Sequence, residues 1–136
     1  MLGGEPGVGK TRLAMDIADY ARSVSFRSFV GHCYETDEPF PHLPFVEIIE
    51  SGLARTASLD YCRQVIGDNT AELAQIAPRL RRIFPDIPEP LELPPAQRRR
   101  FLFESISETL GRTARIRAQL LVLDTSIWPT NRRWLF

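Results

Sequence analysis

Residues Gly4-Glu5-Pro6-Gly7-Val8-Gly9-Lys10-Thr11 put three glycines, a lysine and a threonine into one short stretch. Glycine accepts backbone dihedrals that a Cβ forbids, so Gly4, Gly7 and Gly9 let the chain curl tightly. Backbone N–H groups in such a curl converge on one anion. Lys10 adds a positive charge suited to β- and γ-phosphates, and the Thr11 hydroxyl is an oxygen ligand for the Mg2+ they carry. The pattern is G-x-x-x-x-G-K-T, the P-loop pattern. It constrains the fold because its context is a strand before it and a helix after it. A glycine-rich turn that merely caps a helix is the bland alternative, and the fixed lysine argues against it.

The helix side of that context is present. Residues 11–24 carry Leu13, Ile17, Tyr20, Ala21 and Val24 at helical spacing, with Arg12, Asp16, Asp19 and Arg22 between them. This predicts an amphipathic helix with those residues as its apolar face. The strand side is not: only Met1-Leu2-Gly3 precede the loop. After the helix, Phe26, Phe29 and Val30 form a short aromatic and β-branched run ending at Gly31. A helix followed by such a strand predicts a crossover onto a parallel sheet.

Eleven prolines punctuate the chain, clustering at residues 39–44 and 85–95. The acidic stretch 34–45 reads as a loop leading into a helix from Pro44 to about Ala54, with Phe45, Ile48, Ile49 and Leu53 on one face. A short helix is expected around Tyr61–Val65. A longer one is expected from about Asn69 to Phe84, capped by Asn69 or Thr70 and kinked or divided at Pro78. Beyond the proline linker, a helix with Phe101, Phe103, Ile106 and Leu110 as its apolar positions is expected to stop at Gly111.

Gln119-Leu120-Leu121-Val122-Leu123-Asp124 then reads as a buried parallel strand ending in an acid. Alone it would be an ordinary core strand. Downstream of a phosphate loop, it matches the strand whose terminal Asp reaches the nucleotide's Mg2+, so Asp124 joins Thr11 as a candidate metal ligand.

Net charge is formally zero, which gives no support for a nucleic-acid or membrane-surface role. No apolar run approaches the length that spans a bilayer. Cys33 and Cys62 lack metal-ligand spacing and read as free thiols of a cytoplasmic protein. His32 and His42 read as surface or packing residues. Arg98-Arg99-Arg100 with Arg112, Arg115 and Arg117 read as a solvated helix face.

Taken together, Gly4–Thr11, Gly31-His32-Cys33-Tyr34-Glu35, Pro41–Phe45, Leu93-Pro94-Pro95-Ala96-Gln97-Arg98-Arg99 and Leu120–Asp124 resemble the AAA-type ATPase module of bacterial multidomain regulators. These are signal-transduction ATPases of the STAND type, among them large LuxR-like transcriptional regulators and ATPase-coupled adenylate cyclases. The resemblance implies an α/β P-loop fold over residues 1–124, with a helical insert at about 44–84 and a proline linker at 85–95. It implies ATP and Mg2+ as ligands. Gly4, Gly7, Gly9, Lys10 and Thr11 match the Walker A positions, with Glu5, Pro6 and Val8 completing the loop, and Asp124 matches the first Walker B acid. It also implies self-association through the module in complete homologues, with nucleotide state as the switch.

Two departures shape the functional expectation. The resembled proteins supply an apolar strand before the loop, and they carry a second acid after the first Walker B acid, where this chain has Thr125. The tail 125–136 diverges. One choice of codons for it, read two bases on, gives His-Ile-His-Leu-Ala-Asp-Glu-Pro-Ser-Leu, close to the family's continuation, so a frameshift is expected there and the gene's codons test it. The expected activity is binding of Mg–nucleotide with hydrolysis in doubt. The competing readings are a non-catalytic remnant that binds weakly or not at all, and a small P-loop kinase acting on a metabolite.

Overall fold

A computed structural model of the chain describes residues 5, 8–33, 42–56 and 58–124. Gly4, Pro6 and Gly7 of the loop, the acidic segment with Glu35 and Asp37, and the tail from Thr125 lie outside the described residues. The chain divides into two units, Met1–Ile48 with Gln119–Phe136, and Ile49–Ala118.

The first unit is α/β. Helix α1 (Lys10–Ser23) is followed by strand β1 (Arg27–His32). The turn between them is a Schellman arrangement: Phe26 N–H donates to the Ala21 carbonyl at 2.8 Å and Ser25 N–H to the Arg22 carbonyl at 3.1 Å. Ser25 sits at φ 69, the left-handed position that such turns usually give to glycine. So short a turn sends β1 back along α1. Strand β2 (Gln119–Asp124) pairs with β1 in parallel, from Arg27 opposite Gln119 to His32 opposite Asp124. Helix α1 packs on both strands.

The packing face of α1 differs from the expected one. Ala18 and Ala21 are buried, whereas Leu13, Ile17, Tyr20 and Val24 are exposed, Tyr20 at 69%. Of the expected stripe only Ala21 is inside. Alanines let the helix approach the strands closely, and the face with least side-chain bulk is the one that docks. Strand β2 is not buried as expected either: its residues are half-buried and Leu123 is 48% exposed. Among the described residues its sheet has two strands, so β2 pairs on one edge alone.

Helix α2 (Leu43–Ala54) begins where Phe45 and Val46 N–H donate to the His42 carbonyl, and the unit boundary falls inside it. Its first turn packs on β1 at Gly31. A Cβ at Gly31 would stand 2.9 Å from the Cα of Pro44 and closer still to its carbonyl oxygen, so only glycine permits this approach.

The second unit is helical. Helix α3 (Leu59–Ile66) is capped by the Ser58 hydroxyl, which accepts from Tyr61 N–H at 3.2 Å. A 3-10 turn (Gly67–Asn69) leads into α4 (Thr70–Ile76) and α5 (Arg79–Ile83). Pro78 divides these two helices as expected. Neither expected cap forms at the α4 start: the Asn69 side chain donates to Glu108 and the Thr70 hydroxyl to the Gly67 carbonyl.

Helix α6 (Pro95–Ile116) continues through Gly111 instead of stopping there. An interior glycine costs about 1 kcal/mol, and the residues around it offset that cost. The Arg112 guanidinium donates to Glu108 one turn back and to the Ile66 carbonyl at the end of α3. The buried face of α6 is Leu102, Ser105, Ile106 and Thr109, with Phe101 exposed. Helices α3 and α4 pack against α6. Leu73 and Leu80 are the largest fully buried side chains of the core they share with Cys62, Val65, Ile66 and Phe84.

Candidate functional site

Of the phosphate loop, Glu5, Val8, Gly9, Lys10 and Thr11 are described. Gly9 holds φ 83, ψ 18, in the left-handed region, and is the N-cap of α1. Its carbonyl accepts from Leu13 N–H at 3.0 Å and so opens the helix. A Cβ at Gly9 would meet no atom within 4 Å. Glycine is therefore needed there for its dihedral and not for space.

Lys10 occupies the first position of α1. Its Nζ donates to the Glu5 carbonyl at 2.5 Å, which ties the two ends of the loop together. The first turn of α1 contains no acid, a feature it shares with α2, α5 and α6, whereas α3 and α4 open with Asp60 and Glu72. The positive end of the α1 dipole thus keeps its attraction for an external anion instead of spending it on a carboxylate of its own.

Matched lengths place Asp124 with respect to this loop. The 14 residues of α1 rise roughly 21 Å. The 6 residues of β1 extend roughly 20 Å. Since β1 returns along α1, its His32 end comes level with the start of α1. The parallel register brings Asp124 beside His32 at that same end. Cys33 N–H extends the ladder by one bond, donating to the Asp124 carbonyl at 2.9 Å.

The strand end holds a second arrangement that the sequence reading missed. Glu47 Oε2 accepts from the His32 backbone N–H at 2.7 Å and lies 2.9 Å from His32 Nδ1. The two residues are 15 apart in sequence and on different elements, so no local spacing announces the pair. It does sustain the reading of His32 as a packing residue. The Cys33 thiol is pushed up from its ordinary range by burial first, then by the negative charges of Asp124 and Glu47. Its proton is held, and Cys33 is a poor nucleophile there.

Thr11 and Asp124 are hard oxygen donors of the kind Mg2+ prefers. Among the described residues no three His, Cys, Asp or Glu side chains gather as a metal cage. The arginines of α6 pair locally. Arg100 bonds Glu104 at 2.8 Å, Arg112 bonds Glu108 at 2.6 Å, and Arg99 lies over the Phe103 ring. Among the described residues no helix is long and apolar enough to cross a membrane.

Neither a search of curated proteins nor a search of solved structures gave a match. A family model does match: the AAA ATPase domain, over residues 1–131. That span takes in the phosphate loop, both strands and Asp124. The family's ligand is a nucleotide, usually with Mg2+. With nearly its whole length matched, the chain belongs to the AAA ATPase domain family.

Proposed function

We propose that this chain binds Mg–ATP as the switch module of a STAND-type regulator, of the kind found in LuxR-like transcriptional regulators and ATPase-coupled cyclases. One observation carries the reading: the parallel register sets Asp124 beside His32 at the end of β1, and the matched lengths of α1 and β1 argue that this end is level with the Gly9 cap and Lys10. The loop from Gly4 to Thr11 would hold the phosphates, with Lys10 at the β- and γ-phosphates. Thr11 and Asp124 would hold the Mg2+, which neutralises phosphate charge when bound. We assign residues 1–124 to this module, with residues 44–84 as its helical insert and 85–95 as a linker.

Binding, and not turnover, is the activity assigned to this chain. Water attack in such sites uses a second acid beside the first, and Thr125 stands in that position. The remnant reading draws on a different observation, the exposed apolar face of α1.

The two readings separate in one experiment. ATP binding is titrated with Mg2+ present, and phosphate release is followed, for the wild-type chain and Lys10→Ala. Micromolar binding that Lys10→Ala weakens, without phosphate release, is the expected result. No binding at millimolar ATP would establish the remnant, and release that disappears in Lys10→Ala would overturn the assignment of binding alone.

A further inference from the structure

The Glu47–His32 pair links α2 to the strand end at which Asp124 lies. Two independent features fasten the first turn of α2 to β1. Gly31, lacking a Cβ, lets the Pro44 backbone rest directly on the strand. One turn further along α2, a single carboxylate oxygen of Glu47 engages both the backbone N–H and the ring Nδ1 of His32. The next peptide in the strand, that of Cys33, donates to the Asp124 carbonyl. Glu47 is therefore connected to the Asp124 backbone through two adjoining peptides, all within the first unit.

We propose that Glu47 is a positioning residue for the metal half of the nucleotide site, holding β1 so that the Asp124 carboxylate is presented to Mg2+. The inference rests on the Mg–nucleotide reading above and deepens it. Metal-ligating carboxylates work only when their backbone is held, and outer partners that hold them influence metal affinity by about 10- to 100-fold. A clamp of two hydrogen bonds to one oxygen restrains both the strand peptide and the His32 ring. Side-chain packing alone would leave this half-exposed strand end less restrained.

The test uses the full chain with Glu47→Ala, Glu47→Gln and Lys10→Ala. In the protein without nucleotide, amide exchange at Cys33 reads the clamp. Calorimetric ATP binding, measured in EDTA and across an Mg2+ series, reads its consequence. In Glu47→Ala we expect Cys33 exchange to quicken and the Mg2+ needed for half-maximal enhancement of binding to rise about 10-fold. ATP affinity in EDTA should stay unchanged. Glu47→Gln keeps a carbonyl acceptor for the His32 N–H and should fall between wild type and Ala. It also carries the test if circular dichroism shows Glu47→Ala unfolded.

Unchanged Cys33 exchange in the variants overturns the clamp. Quickened exchange with unchanged Mg2+ dependence overturns the positioning role. A wild-type chain that binds no ATP even with Mg2+ has a different signature: it ends the nucleotide reading and this inference with it, whatever the exchange shows.

Discussion

The two units bury different kinds of residue. The helical unit is built round large side chains, with Leu73 and Leu80 wholly inside, Phe84 and Ile106 beside them, and Ala71, Ala74 and Ala77 filling in between. Among its described residues the α/β unit buries Ala18, Ala21, Ser28, Gly31 and Pro44, with Phe29 and Ile48 as large buried side chains, and leaves Leu13, Ile17 and Tyr20 in solvent. Large side chains stabilise by area and fill space, whereas small ones let backbones approach. The first arrangement suits a self-supporting helical cluster. The second suits a site, where strand ends, a helix N-terminus and a glycine turn must be brought close together.

The comparison breaks most readily at Leu80. Leu80→Ala should cost about 3 kcal/mol of stability, seen as a lower denaturation midpoint, because a fully buried leucine leaves a cavity. A loss under about 1 kcal/mol would mean that the helical unit does not rest on its large side chains.

Lys10→Ala should do the reverse. It should leave the melting temperature nearly unmoved and lower ATP affinity by roughly 10- to 100-fold, the scale of a charge-assisted contact of about 1.5–3 kcal/mol. An equal fall in stability would show Lys10 to be structural.

Two glycines carry the contrast further. Gly31→Ala forces a Cβ into the Pro44 backbone and should destabilise by about 1–3 kcal/mol. Gly111→Ala meets nothing within 4 Å in a helix interior and should stabilise by up to about 1 kcal/mol. Paired thermal melts check both, and equal signs would refute the distinction between close approach and tolerated cost.

The smallest effect concerns Cys33. Burial, then Asp124, then Glu47 hold its proton on more tightly than in the unfolded chain. The folded state therefore enjoys its full contribution below the ordinary thiol range and loses it as pH rises through that range and beyond. Alkylation of Cys33 should lag behind that of a free thiol at mildly alkaline pH, and Asp124→Asn should narrow the lag.

Much of the element order was legible because its signals are local. The glycine–lysine loop followed by an amphipathic run announced α1, Pro78 announced a break, and the apolar run ending in Asp124 announced β2. The apolar run at 119–124 also announced a parallel strand, and β2 pairs with β1 in parallel. Boundaries were less legible where one residue type has two uses. Gly111 carries the same stop signal as a terminal glycine, but Arg112 bonds across to the Ile66 carbonyl of α3 and back to Glu108, and the helix runs on.

What the sequence determined by itself is the chemistry on offer: a phosphate loop, its lysine, its hydroxyl and an acid at the end of a strand. Those follow from residue types at short spacing, where dihedral freedom and charge are properties of each residue. Tertiary structure alone decided which face of α1 docks, that Gly31 serves Pro44, and that Glu47 holds the strand end bearing His32. Each of those outcomes depends on which distant segment arrives as a neighbour. Docking energy is set by the fit of two surfaces, and neither surface is written in the other's stretch of sequence.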